Sequence, residues 1–396
     1  MLRKPTRFRI TFAAWSIPRL GWSAWTNWTK DCGSSNPMPI CETDWNGLAA
    51  GRLDFHLVGT SAVADLEAKL RQHYGMRYAV CVSNATTGLL AVALALNLRC
   101  AEFVTTPYTY GASLAGWLLL GNRPVFADID PQTLTLAAEA IPPCITPRTK
   151  AILAVDIFGN PADMKALRQT ADEYGLWYVA DAAQSLGARR EGAPASSLAD
   201  ALVVSFTVGK TLCAGEGGAI LTNHAALYEK LVWFTQHPAR QRRDLGLGLD
   251  NEFALNGRIH PAAAIGAATN FEKALADLQQ HQQRCFELIE ALNASGLTQQ
   301  IEFRPQNIQP SFFRLTAAWR DRPARARIER ELAAAGSRVE IVPPPVRLVY
   351  RQPAFLTQFA RRLRKPPSCP VAELQARSRF CLVRFSSAAA FASVEG

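Results

Sequence analysis

Between residues 78 and 221 the chain alternates short apolar runs with segments of helical period, and this rhythm limits the fold more than any other feature. The runs are Tyr78–Val82, Phe103–Thr105, Pro124–Ala127, Ala151–Val155, Trp177–Ala180, Ala201–Phe206 and Ala219–Leu221. Each is short and rich in Val, Ile or Phe, the pattern of a strand covered on both faces. Neighbouring parallel strands cannot be joined by a tight hairpin and need a crossover, usually a helix. The stretches 87–97, 111–120 and 162–174 suit that purpose. The expected fold class is therefore α/β, with a mainly parallel central sheet flanked by helices. Ahead of the first run, Val63, Leu66, Leu70 and Tyr74 recur at helical spacing and predict one more helix.

The rhythm fades after about residue 225. Residues 261–294, rich in Ala, Leu, Gln and Glu, read as a long helical stretch, and residues 298–396 mix short strands with helices broken at Pro343-Pro344-Pro345. Residues before 61 have weak periodicity and a cluster of turn formers at Gly33-Ser34-Ser35-Asn36-Pro37. A chain of 396 residues is too long for one simple core. Three parts are expected: an N-terminal arm over 1–60, a large α/β domain over 61–250 and a smaller α+β domain over 251–396.

Composition removes several classes of function. Hydrophobic residues make up 48% and charged residues 19%, as in a globular protein and not a disordered one. The formal net charge is +10. The basic residues are scattered among the arm (Arg3, Lys4, Arg7, Arg9, Arg19, Lys30), the group Arg240, Arg242 and Arg243, and the group Arg361, Arg362, Arg364 and Lys365. No zinc-finger spacing or RNA-binding signature goes with them, so solvated faces or attraction for an anionic small substrate are expected, not a nucleic-acid partner. The nine cysteines include no CxxC pair, which argues against a disulfide framework or a metal site and for reduced thiols in the cytoplasm. Pro18, Arg19 and Trp22 interrupt the basic, tryptophan-rich N-terminus, which suits neither a signal peptide nor a membrane span.

In an open parallel sheet, ligands sit beyond the carboxyl ends of the strands, so the residues just after each run carry the functional question. Ser83-Asn84-Ala85-Thr86-Thr87-Gly88 follows the first run and opens an apolar helix. Backbone N–H groups at such a turn can cradle a phosphate, although alone the segment reads as an ordinary N-cap. Tyr110 follows the second run; it could lie flat on a planar ring or pack on the edge of the core. Asp181 ends an apolar run, where a carboxylate is costly unless paired. A protonated pyridine nitrogen would pair it; a helix N-cap would do so as well. Ser205 closes the sixth run and Lys210 follows, ahead of Gly215-Glu216-Gly217-Gly218. A lysine at the mouth of a buried sheet is unusual, and desolvation would make its amine nucleophilic toward an aldehyde. Each feature is weak alone; their order along one sheet is what carries weight.

With these residues on the page, the chain resembles the DegT/DnrJ/EryC1/StrS family of pyridoxal-phosphate-dependent sugar aminotransferases, of fold type I. The resemblance also rests on Val63-Ala64-Asp65-Leu66-Glu67, Ile145 to Ile152, Gly159-Asn160-Pro161-Ala162-Asp163 and Asp181-Ala182-Ala183-Gln184, and it covers roughly residues 57–270. It implies pyridoxal 5′-phosphate as cofactor, carried by Lys210 as a Schiff base. It implies that Asp181 pairs with the pyridine nitrogen, that Gln184 meets the phenolic-oxygen side and that Tyr110 stacks on the ring. The backbone amides of Ala85 and Thr86, with the Ser205 hydroxyl, would hold the phosphate. Asn256 matches a segment that reaches the phosphate of a neighbouring subunit, which implies a homodimer. The implied reaction moves an amino group from an amino acid, glutamate by resemblance, to a keto sugar, often nucleotide-linked, or to a keto cyclitol. Two other readings share the fold: a pyridoxal-phosphate sugar dehydratase, whose family members lack the lysine that Lys210 supplies, and a catalytically silent cofactor-binding regulator. The chain departs from the family pattern at Ala85, where glycine is usual, at Gly88, where alanine is usual, and at Ala101-Glu102, where Gly-Asp is usual. It also lacks an aromatic–histidine segment near Pro343–Val346.

Overall fold

The computed structural model describes residues 58–246, 248, 250–294, 298–299, 307–319, 330, 339–344, 346–363 and 367–384. The arm expected over 1–60 lies almost wholly outside the described residues. Seven strands form the main sheet: β1 (Tyr78–Val82), β2 (Glu102–Thr105), β3 (Arg123–Phe126), β4 (Thr149–Val155), β5 (Trp177–Asp181), β6 (Ala201–Ser205) and β7 (Gly218–Thr222). Their spatial order is β1-β7-β6-β5-β4-β2-β3. All pairs from β3 through β6 are parallel. Strand β7 runs antiparallel to both β1 and β6. The α/β, mainly parallel sheet expected from the sequence is therefore the one observed. The reversal has a local cause: residues 206–217, which connect β6 to β7, contain no helix, so the chain turns straight back.

Helices cover both faces, because each central strand sends alternate side chains to opposite sides. On one face, Ile152, Leu202 and Val204 pack with Leu66 and Leu70 of α1 (Ala62–Tyr74) and with Ala264 and Phe271 of the long helix at Pro261–Ala294. On the other, Leu153, Val203 and Val80 pack with Leu89 and Val92 of α2 (Ala85–Ala95) and Trp117 of α3 (Ala112–Leu119). Helix α4 (Met164–Tyr174) joins β4 to β5, starting at an Asp163 N-cap and ending at Gly175 in the left-handed conformation.

A second sheet has four strands, β8 (Thr298–Gln299), β9 (Leu315–Trp319), β10 (Val339–Val342) and β11 (Arg379–Arg384), in the order β8-β9-β11-β10 and antiparallel throughout. Asp128, just beyond β3, ties this part to the main sheet. Its two carboxylate oxygens accept from Val371 N at 2.9 Å and Ala372 N at 2.8 Å in the first turn of the helix Pro370–Ser378. Among the described residues no helix is long and apolar enough to cross a membrane.

A polar cluster at Arg240 lies within the apolar interior. Arg240, on the helix Pro238–Leu245, is 1% exposed and donates from both terminal nitrogens to the Glu67 carboxylate of α1, at 2.9 Å each. Glu67 Oε1 also accepts from Cys81 N of β1 at 2.8 Å, and Arg240 Nε donates to Asp244 at 3.0 Å. Glu67 thus joins its own helix both to the helix of Arg240 and to the first strand. A charge left alone in such a place is costly, so Arg240→Leu should lower stability by about 3–5 kcal/mol in urea unfolding. The double variant Glu67→Leu/Arg240→Leu should lose less than the sum of the two single losses.

Candidate active site

The carboxyl ends of β1, β2, β5 and β6 meet around a cavity of about 340 Å³. Its lining includes Asn84, Ala85, Thr86, Tyr110, Ser113, Asp181, Gln184, Ser205, Thr207, Lys210 and Glu216. Seven of the eight residues singled out from the sequence therefore line one cavity; Asn256 does not.

At one end stands the N-terminus of α2. Asn84, in extended conformation, accepts from Thr87 N at 2.8 Å through its side chain, and its carbonyl accepts from Gly88 N at 3.0 Å. The N–H groups of Ala85 and Thr86 are those the helix end offers to a ligand. The N-cap reading of this turn is borne out at Asn84, and Ala85 and Thr86 line the cavity beside it. Gly88 has a packing reason. A Cβ there would lie 2.8 Å from Val203 Cγ1, so its absence lets α2 settle against the sheet. Ser205, buried at the end of β6, lines the same cavity.

Asp181 forms the floor. It ends β5 in mid-sheet and is 6% exposed. Its Oδ2 accepts from Ser113 Oγ at 2.6 Å and its Oδ1 from Ala183 N at 3.0 Å. Burial pushes its carboxyl up, while those two bonds and the nearby Lys210 pull it back toward the ionised form. Ser113 in turn exchanges a 2.8 Å bond with Thr109. Sequence reasoning passed over Ser113; its only signal was a small hydroxyl in the first turn of an otherwise apolar helix.

Gln184 is oriented by its neighbours. Its Oε1 accepts from Phe158 N at 2.6 Å, which leaves the NH₂ end to act as donor. Tyr110, 60% exposed, stands beside the cavity with its ring uncovered. Asn256 is exposed and adopts φ +54°, and the Gly257 carbonyl beside it accepts from Ser83 N at 2.7 Å. It therefore lies next to the cradle turn of its own chain but outside that chain's cavity.

Lys210 lies in the helix-free connection between β6 and β7. Burial lowers its pKa to about 8, with Arg314 pushing the same way and Asp181 opposing. Its Nζ rests 4.2 Å from the centroid of the Phe313 ring. The cavity thus presents a softened lysine, a buried carboxylate with fixed hydrogen bonds, a helix end with two outward amides and a bare aromatic ring. This donor set fits a phosphorylated pyridine aldehyde: the amides and Ser205 suit the phosphate, Asp181 the ring nitrogen, Gln184 the phenolic oxygen and Lys210 the aldehyde. Among the described residues no group of three His, Cys, Asp or Glu side chains is placed to hold a metal.

Fold and cavity together define a pyridoxal-phosphate-type α/β scaffold, and the family model of the DegT/DnrJ/EryC1/StrS aminotransferase family matches residues 54–387, so the chain belongs to that family. A UDP-2-acetamido-2-deoxy-3-oxo-D-glucuronate aminotransferase of Pseudomonas aeruginosa is 38% identical over 182 residues, covering 46% of this chain and 51% of that protein. A dTDP-4-amino-4,6-dideoxy-D-glucose transaminase of Shigella dysenteriae is 37% identical over 166 residues, covering 42% and 45%. The matches thus span about half the length of these curated relatives. The sugar aminotransferase CalS13 of Micromonospora echinospora superposes with a TM-score of 0.73 at 24% identity, over 88% of this chain and 94% of that one. The ntda protein of Bacillus subtilis, solved with bound cofactor PMP, gives 0.66 at 22% identity over 82% and 73%. These likenesses establish the fold.

The neutral form of a lysine is its nucleophile, so an amine-reactive ester should label Lys210 with a midpoint near pH 8. Peptide mass mapping across a pH series should show Lys210 labelled at lower pH than the exposed Lys165 and Lys273 of the same protein.

Proposed function

We propose that this protein is a pyridoxal-phosphate-dependent aminotransferase that moves an amino group from an amino acid, glutamate by preference, to a keto sugar, nucleotide-linked, or to a keto cyclitol. The observation that carries the reading is that Lys210, its pKa lowered by burial, and Asp181, a buried carboxyl held by two hydrogen bonds, line a single cavity with a helix N-terminus. The names of the relatives, which act on UDP- and dTDP-linked sugars, support the substrate class.

When bound, pyridoxal phosphate supplies an aldehyde that captures amines and a cationic ring that takes up electron density. Lys210 and Asp181 are the catalytic residues of this reading. Ala85 and Thr86 amides and the Ser205 hydroxyl hold the phosphate, and Tyr110 covers the ring face. Asp181 would pair with the ring nitrogen, and the bonds from Ser113 and Ala183 N–H favour its ionised form against burial. Gln184, its carbonyl committed to Phe158, donates to the phenolic oxygen. Lys210 Nζ, neutral above about pH 8, takes the proton from the donor's α-carbon and returns one to the acceptor carbon.

The same reading makes the protein a cytoplasmic homodimer, with Asn256 serving the partner's phosphate site. Its exposed position outside the cavity of its own chain, beside the fully exposed Phe253, supports that role. The described cysteines are all free thiols, which suits a reducing compartment. The division into 1–60, 61–250 and 251–396 belongs to this proposal too: the main sheet lies within residues 78–222 and the smaller sheet within 298–384.

The test is a panel of nucleotide-linked keto sugars with glutamate, followed by amine detection on the sugar. Lys210→Ala should abolish the visible absorbance of the bound cofactor and lower turnover by about 10²–10⁴-fold. Ser113→Ala should retain cofactor but shift the acid limb of the pH–rate profile upward, since it removes a bond that favours the ionised Asp181. A wild-type protein that takes up no cofactor defeats the reading, and bound cofactor without turnover on any keto sugar points to the regulatory alternative.

A further inference from the structure

Gln184 can serve a cofactor only while its amide points one way, and a glutamine side chain has several torsions to fix. The bond from Phe158 N to its Oε1, at 2.6 Å, fixes it only as well as Phe158 itself is fixed. Phe158 stands on strained backbone. It and Gly159, just beyond β4, both take left-handed conformations, with φ +59° and +84°. For phenylalanine this costs free energy, and such strain persists where the surroundings demand it. Here the surroundings include the segment Ser311–Arg314. Ser311 N donates to the Gly159 carbonyl at 3.0 Å and Arg314 N to the Phe158 carbonyl at 3.2 Å. The hydroxyl of Ser311, a wholly buried residue, donates to the Gln184 carbonyl at 2.6 Å. A Cβ on Gly159 would lie 2.0 Å from Ser311 Oγ and 2.9 Å from the Gln184 carbonyl, so only glycine permits this approach.

Ser311 is also held from its far side. Ile308 and Gln309, just ahead of it, pair antiparallel with Arg190 and Arg189. From the long helix at Pro261–Ala294, Gln282 Nε2 donates to the Pro310 carbonyl at 2.7 Å and His281 Nε2 to the Phe312 carbonyl at 3.2 Å. Both of these side chains are buried. The carbonyls on either side of Ser311 are thus anchored to a helix outside the cavity lining. Ser311 does not line the cavity either. It reaches the site through Gln184, by one bond to that residue's carbonyl and by a link through Gly159 to the amide that holds its side chain.

We propose that Ser311 is a positioning residue, which sets the direction in which Gln184 presents its amide N–H groups to the phenolic oxygen of the cofactor. This rests on the pyridoxal-phosphate reading given above. An N–H donated to that oxygen favours its ionised form, and a poorly aimed donor does so less. An oxygen anion with less support keeps a nearby proton to higher pH. The pH at which the bound cofactor changes its visible absorbance therefore reports how well Gln184 is aimed.

The measurement is a pH titration of that absorbance in the holoenzyme. Ser311→Ala should move the midpoint up by about 0.5–1 unit. Ser311→Thr, which keeps the hydroxyl, should lie closer to wild type than the alanine variant does. In a Gln184→Ala background, where the donor itself is gone, Ser311→Ala should add no further shift. An unchanged midpoint in Ser311→Ala overturns the proposal, as does a shift of the same size in the Gln184→Ala background. Should Ser311→Ala fail to fold, Ser311→Cys keeps the shape with a weaker donor and is judged by the same two results. A second readout needs no cofactor. Hydrogen exchange of the peptide that carries Phe158 N–H should quicken about 5- to 10-fold in cofactor-free Ser311→Ala, and unchanged exchange also overturns the proposal. A wild type that takes up no cofactor defeats the function proposed above instead, and the exchange rates then decide whether Ser311 holds Gln184 in place.

Discussion

The architecture answers to one requirement: a carboxyl group must be accommodated at the end of a strand in the middle of a covered sheet. Burial alone would neutralise Asp181. Two bonds oppose that: β5 ends where the first turn of α3 brings Ser113 within 2.6 Å, and the chain bends at once to return Ala183 N–H to the same group. The ammonium of Lys210 adds its field from the connection after β6. Move any of these elements by one residue and the carboxyl would lose a donor it cannot replace from solvent. The neighbouring end of β4 carries a similar burden. Asp156, 1% exposed, is held by Ser185, Ser196 and Ala162 N–H, and Ser185 belongs to the turn that follows Asp181. Two buried acids thus share one support, built from hydroxyls and amides.

Much of this was legible in the sequence, for a simple reason. Strands buried on both faces must be apolar along their length, so all seven runs appear as strands within about two residues of where they were expected. The misjudged ends are instructive. Glu102 opens β2 although it is charged, because it is buried against Arg148 and the Thr146 hydroxyl, both at 2.6 Å. Thr149 and Lys150 likewise extend β4 beyond its apolar stretch at Ala151–Val155. Periodicity records what a residue is, not which distant partner makes its burial tolerable. The long helix at 261–294 was visible because an unbroken stretch of helix formers needs no partner to be recognised.

The site was legible in part. Lys210, Asp181, Ser205, Tyr110, Gln184 and the Ala85–Thr86 turn could be found because each follows an apolar run, and in this kind of sheet that position is where ligands go. Ser113 could not be found that way, since it acts through another side chain. Phe313 and Arg314 were hidden more deeply. They come from a part of the chain with no strand rhythm, and a strained Phe158-Gly159 pair more than 150 positions away sets their place. Asn256 shows the limit from the other side: it lies next to the cradle turn and yet does not line its own chain's cavity.

The reversed strand β7 has a consequence for how the protein comes into being. Strand β1 sits at the edge of the described sheet and pairs with β7, with Tyr78 opposite Thr222. During synthesis β1 and the helix that follows it emerge early but have no place in the sheet until the chain beyond Lys210 has left the ribosome. The helix end that would grip a phosphate and the lysine that would grip an aldehyde are therefore brought together in one late event of high sequence separation. A nascent or truncated chain ending before β7 would own every acid and amide of the floor and still have no pocket.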